Sequence, residues 1–219
     1  MMIIAIHNHK GGVGTTTLAA HLCALARDLG LRVAGASADP KNELTRWLDA
    51  AQIPCIELHA GEWPDVARDL DLVIVDVQSQ SAPAIDPDVW VLPITDRMAE
   101  ENARALSDRL RGPVLWLPNE SRRLSTTAPP SYLEGRVEVG PTIPYSHAIE
   151  EASAQRGIIW ALPELAHSPG ARALRTALHE VLRRSADLAG HGLPGLTPPP
   201  NAVSLAVGHL DAATAAPAP

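Results

Sequence analysis

Eight residues near the start of the chain, Lys10-Gly11-Gly12-Val13-Gly14-Thr15-Thr16-Thr17, combine the residue types that bind phosphate. Glycines let the backbone turn tightly enough to aim successive N–H groups at one anion. A helix that starts there adds the positive end of its dipole. Gly11, Gly12 and Gly14 supply the turn around Val13. Thr16 stands where the hydroxyl of such a loop coordinates Mg2+, and Thr17 can reach an inner phosphate. The general pattern is G-x-x-x-x-G-K-[S/T]. Its lysine, which reaches the outer phosphates, falls at position 15, where this chain has threonine. A second lysine, Lys10, opens the loop. Of the 18 basic residues, 16 are arginine and only Lys10 and Lys41 are lysine. A compact ammonium fits among phosphates better than a planar guanidinium, so Lys10 reads as functional rather than as a solvated surface charge.

Other residues are candidates with two readings each. Asp76 closes the apolar run Leu72–Val77. A carboxylate there lies at the carboxyl edge of a sheet, where open α/β folds bind ligands, and could hold Mg2+ through water; the alternative is an Asp that caps the next turn. Asp39, followed by Pro40, sits at the same edge and could orient an attacking water, or simply make an Asp-Pro turn. Asn119 follows the strand Val114–Pro118, and its amide could pair with an adenine edge. Arg122 and Arg123, with Arg172, Arg175, Arg183 and Arg184 on the last helix, could neutralise DNA phosphates in a salt-dependent way. The alternative is a solvated helix face compensated by Glu180 and Asp187.

Short apolar runs alternate with helical patterns, which implies βαβ units and a mostly parallel sheet. The expected strands are 3–8, 32–37, 72–77, 89–93 and 114–118, with shorter ones at 56–58 and 140–143. The expected helices are 16–29, 43–51, 63–69, 97–110, 147–156 and 170–188. Gly30 suits the position just past the first helix, and Ser168-Pro169 suits an N-cap followed by a first-turn proline. The glycine loop therefore lies between a strand and a helix, as its chemistry requires. From residue 189 the composition turns to Gly, Pro, Ala and Thr, which reads as a flexible tail over 189–219 after one domain over 1–188.

Composition narrows the classes. A hydrophobic share of 46% and a net charge of −7 fit a soluble globular protein and argue against wholesale coating of nucleic acid. No apolar run reaches the ~20 residues of a membrane span, and no signal peptide is expected. Cys23 and Cys55 show no metal-ligand spacing, and Cys23 reads as a core residue of the first helix. A cytoplasmic protein is expected.

Taken together, Lys10-Gly-Gly-Val-Gly-x-Thr-Thr resembles the deviant Walker A motif of the ParA/MinD family, ATPases that position DNA, cell-division factors or protein cargo. Asp39-Pro40 resembles the family's switch after the second strand, and Leu72–Asp76 its Walker B strand. Asn119 matches its base-contacting Asn. Residues 148–157 and 168–171 resemble its C-terminal part. The resemblance implies an α/β, single-domain P-loop NTPase fold with a mostly parallel central sheet flanked by helices, and ATP and Mg2+ as cofactors. It further implies a homodimer formed on ATP binding, in which Lys10 reaches the partner's phosphates, Asp39 positions the attacking water, and Thr16 and Asp76 hold Mg2+. A stimulating adaptor protein and nonspecific DNA, with nucleoid association, belong to the same expectation. No amphipathic membrane helix is expected in the Pro-rich tail.

Three departures from the family pattern stand out. Thr15 removes a cation whose contact strengthens in the transition state, so hydrolysis should suffer more than binding. Val77-Gln78-Ser79 replaces a proline-rich switch, and Ser37 replaces the first Asp of Asp-x-Asp-Pro. The expectation is a weak ATPase, with a nucleotide-binding scaffold of little or no hydrolysis as the rival. A metabolic enzyme of the iron–sulfur type is disfavoured, because Cys23 and Cys55 do not suit a cluster.

Overall fold

The computed structural model describes residues 1–37, 43–58, 69–77, 85–119 and 129–196. Asp39, Pro40, Arg122, Arg123, the Gln78-Ser79 pair, nearly all of the helix expected over 63–69 and the tail beyond 196 lie outside them.

The longer apolar runs become strands buried on both faces, and the two short edge strands are partly exposed. β1 (Met2–Ile6), β2 (Val33–Ser37), β3 (Cys55–Glu57), β4 (Leu72–Asp76), β5 (Val89–Ile94), β6 (Val114–Pro118) and β7 (Val137–Val139) form one sheet in the order β3-β2-β4-β1-β5-β6-β7. All of its pairings are parallel. Residues alternate between two cores, as a period of two demands. Ile4, Ile6, Leu72, Ile74, Val89, Val91, Leu115 and Leu117 face one; Ala5, Val73, Val75, Trp90, Leu92, Val114 and Trp116 face the other.

Helices cover both sides. The first core is closed by α1 (Thr15–Asp28), α2 (Glu43–Ala50), α4 (His147–Ala154) and α5 (Pro169–Ala189), through residues such as Leu22, Leu48, Ile149 and Leu178. The second is closed by α3 (Arg97–Arg109), through Ala99, Ala103 and Leu106. Cys23 is fully buried in α1, and burial pushes its thiol well up. Leu193 and Leu196, past the end of α5, are buried against the first core.

One expected strand is displaced. The ladder beside β6 is Val137–Val139, not 140–143. Pro141 has no N–H to give a ladder, so beyond Gly140, which donates to the Trp116 carbonyl, pairing shrinks to a single bridge between Asn119 and Ile143.

The strand order places the site. From β1 the chain moves to one side of the sheet through β2 and β3, and from β4 it crosses to the other through β5, β6 and β7. The reversal falls at β1, and ligands of such sheets bind in the crevice outside the carboxyl ends of the strands there.

Candidate functional site

The loop between β1 and α1 occupies that crevice. Gly12 and Gly14 adopt φ of 76° and 88°, the left-handed region open to glycine. Gly14 is the N-cap of α1 and supplies no side-chain hydrogen bond, and the first turn of α1 has no acidic residue. The N–H groups that open a helix have no intrahelical acceptor. Those of α1 therefore point outward from a loop without negative charge.

Three other helices with described caps behave differently. Asp96 accepts from Ala99 N at the start of α3, Ser146 from Ala148 N at α4 and Ser168 from Ala171 N at α5. In each of these a side chain already takes up one orphan donor; among the described residues no side chain does so at α1, whose donors suit an anion.

Beside the loop, Thr16 Oγ1 donates to Asp76 Oδ2 at 2.6 Å. Asp76 lies at the carboxyl end of β4, opposite Ile6 of β1, and is 4% exposed. A buried carboxylate beside a hydroxyl at the mouth of an anion cradle offers hard oxygen atoms of the kind Mg2+ takes. The residues present fit a magnesium nucleotide: donors for phosphate from the α1 backbone, oxygens for the metal from Thr16 and Asp76.

The rear of the loop is tied down. Asn119 is buried and its amide donates to the Val13 carbonyl at 2.7 Å. A Cβ added at Gly14 would come within 2.8 Å of that amide nitrogen. His21, fully buried in the second turn of α1, has Nδ1 2.8 Å from the Thr17 carbonyl, and its Nε2 accepts from Ile159 N at 3.1 Å. Burial brings its pKa down to about 4, so the ring is neutral with its proton on Nδ1. His7, which ends the β1 run, is also fully buried; burial first and His9 second bring it to about 4.

Asn8 and Asp96 are parts the sequence reading did not single out. The Asn8 carboxamide donates to the Pro93 and Ala99 carbonyls and accepts from Lys10 N at 2.9 Å, tying the loop to β5 and α3. The Lys10 ammonium is paired with Asp96, the N-cap of α3. Lys10, Thr16 and Asp76 thus all lie at the carboxyl edge of the sheet, on the β1–α1 loop and the end of β4. Helix-cap spacing, Asp three residues before Ala99, was the only signal for Asp96.

The arginines of α5 are engaged within the chain. Arg183 binds Glu180 at 2.7 and 2.8 Å and Asp187 at 2.6 Å. Arg184 binds Glu180 at 2.7 Å, Glu138 at 3.1 Å and the Val139 carbonyl at 2.8 Å, closing part of the open edge of β7. With both arginines on it, the Glu180 carboxyl is held down to about 2. Arg172 donates to the His167 carbonyl, and Arg175 binds Asp28 at 3.1 Å and lies over the Trp160 ring.

The model of the CobQ/CobB/MinD/ParA nucleotide-binding domain matches residues 4–186. The chain belongs to that family. No curated protein matches it in sequence. Among solved structures, it is similar to the cell division ATPase MinD of Pyrococcus furiosus, at 19% identity and a TM-score of 0.61, over 84% of this chain and 99% of that one. It is also similar to the septum site-determining protein MinD of Pyrococcus horikoshii OT3 complexed with Mg-ADP, at 17% identity and a TM-score of 0.58, over 82% and 95%. A third is a Borrelia burgdorferi B31 protein described as a plasmid partition protein and bound to AMPPNP, at 14% identity and a TM-score of 0.59, over 84% and 99%. At such identities the likeness speaks for the fold: this CobQ/CobB/MinD/ParA-family chain has the architecture of those proteins. Among the described residues, no helix is long and apolar enough to cross a membrane.

Proposed function

We propose that the chain is a ParA/MinD-like ATPase that binds Mg·ATP at the β1–α1 loop, forms an ATP-dependent dimer, and positions a cargo, DNA or a large protein assembly. The observation that carries this reading is the uncapped, acid-free amino end of α1 beside the 2.6 Å contact between Thr16 and buried Asp76. Backbone N–H groups of the loop would hold the phosphates. Thr16, directly, and Asp76, through water, would hold Mg2+, which neutralises charge on the phosphate oxygens when bound. Asn119 keeps the loop's shape from behind through the Val13 carbonyl; contact with the base, its expected role, would need that amide to turn. Lys10 would act across the dimer, and Asp39 would orient the attacking water. Similarity to MinD proteins and to a plasmid partition protein supports the positioning role. An adaptor that stimulates release belongs to the same proposal. For DNA, the internal pairing of Arg183 and Arg184 favours a surface other than the end of α5.

Thr15 favours a second reading, a nucleotide-gated scaffold with little hydrolysis, because the loop lacks the ammonium that would stabilise charge on the outer phosphates. The test is ATP binding and turnover with Mg2+ for the native chain beside Thr15→Lys. The ATPase reading expects slow native turnover, raised on the order of 100-fold in the variant. Binding without native turnover, with hydrolysis by Thr15→Lys, supports the scaffold. No ATP binding by either chain contradicts both.

A further inference from the structure

Lys10 is the one charged side chain of the Lys10–Thr17 loop, yet its ammonium does not lie over the loop. It is turned toward α3 and paired with Asp96. The two side chains are 28% and 48% exposed, so the pair sits at the rim of the crevice with water beside it. Asp96 is anchored independently of Lys10: its other oxygen, Oδ1, accepts from Ala99 N at 3.0 Å and caps α3. Among the described residues, Lys10 has besides this ion pair only the bond its backbone N–H gives to Asn8. Its side chain is therefore the mobile member of the pair, and Asp96 the fixed one. A carboxylate and a terminal phosphate offer the same ligand to an ammonium, an anionic oxygen.

We propose that Asp96 is an autoinhibitory latch that holds Lys10 away from phosphate until a nucleoside triphosphate competes for it. This rests on the nucleotide-binding reading above and adds to it a threshold. With the latch closed, the loop offers phosphate only backbone N–H groups and hydroxyls, because position 15 is threonine. Releasing Lys10 supplies the missing cation, to its own nucleotide or to that of a second copy. Loss of a partly exposed ion pair of this kind shifts an equilibrium by up to about fivefold.

The test uses the full-length chain and Asp96→Asn. Asn caps a helix as well as Asp does, so α3 is kept while the carboxylate is removed. Asp96→Ser, also a good cap, serves if the first variant folds poorly. The chain has only two lysines, so reductive methylation with 13C-formaldehyde gives two lysine methyl signals and that of the amino terminus, with Lys10 assigned by Lys10→Arg. The expected results are two. The Lys10 signal moves in Asp96→Asn, and in the native chain it moves when ATP and Mg2+ are added. Half-maximal self-association then needs up to about fivefold less ATP in Asp96→Asn than in the native chain. A Lys10 signal that ignores Asp96→Asn overturns the pair. A signal that moves, with identical ATP dependence in both chains, overturns the latch but keeps the pair. A native Lys10 signal that moves with Asp96→Asn but not with ATP, while calorimetry shows ATP bound, overturns the latch and keeps the nucleotide reading; no ATP bound at any concentration overturns the nucleotide reading, and the latch with it.

Discussion

The amino end of α1 and the arginine face of α5 both carry residues whose types suggest a bound anion, and the fold treats them in opposite ways. At α5, Ser168 caps the helix and every arginine of the candidate set has a partner within the chain: His167, Asp28, Glu180, Asp187, Glu138 or the Val139 carbonyl. At α1, the cap is a glycine with no side chain, and only the rear of the loop is tied down, by Asn119, Asn8 and His21. Density of charge does not pick out the site, since α5 is the more densely charged of the two. What does is whether polar groups are already satisfied: a helix whose donors are capped and whose cations are paired has little to offer a ligand, and a helix left open over a rigid base has much.

The sharpest challenge to this contrast is acid, because the rigid base depends on a neutral imidazole. His21 titrates near 6.5 when unfolded and about 4 when folded. Between those values the unfolded chain holds a proton that the folded chain refuses. Stability is thus intact above pH 6.5 and falls as the pH drops toward 4, by at most about 3 kcal/mol from this residue. Urea midpoints should fall between pH 7 and 4.5, and less so in His21→Gln; parallel curves for the two chains would remove His21 from the base. His7, also buried and held to about 4, should add a fall of the same sign.

Gly14→Ala should come next. It places a Cβ in a left-handed residue, at about 1–2 kcal/mol, and against the Asn119 amide. ATP affinity, read by calorimetry, should fall about tenfold or more; unchanged affinity would mean the loop is not the phosphate site. Arg183→Glu with Arg184→Glu should lower stability by about 1–2 kcal/mol and leave DNA retention in a gel shift as it was. A loss of retention at low salt with no loss of stability would reverse the contrast and make α5 the binding face. Smallest of all, Arg175→Ala should cost about 0.5–1 kcal/mol through its Trp160 contact, with ATP binding untouched.

What was legible in the sequence was local. The strand, glycine loop and helix follow one another in the chain, and the doubly buried strands announce themselves as unbroken apolar runs such as Leu72–Val75. Lys10, Thr16 and Asp76 could be placed at one edge because parallel strands put their carboxyl ends there. β7 was misplaced because Val137-Glu138-Val139 is a short edge strand, half exposed, that looks no more like a strand than Gly140–Ile143 does. The contacts that fix the site's behaviour span the chain: Lys10 to Asp96, Asn119 to Val13 and His21 to Ile159 join residues 86, 106 and 138 positions apart. No periodicity encodes such a pairing. The internal pairing of Arg183 was readable, since Glu180 and Asp187 lie one turn to either side; that of Arg184 with Glu138 and Val139 was not.

The most direct test of the central claim, that the open end of α1 with Thr16 and Asp76 is a magnesium-nucleotide site, is calorimetric titration of ATP with Mg2+ and with EDTA, into the native chain and Asp76→Asn. The account predicts that Mg2+ tightens native binding and that Asp76→Asn loses about 10- to 100-fold of that gain. Native affinity that is the same with Mg2+ and with EDTA would contradict it.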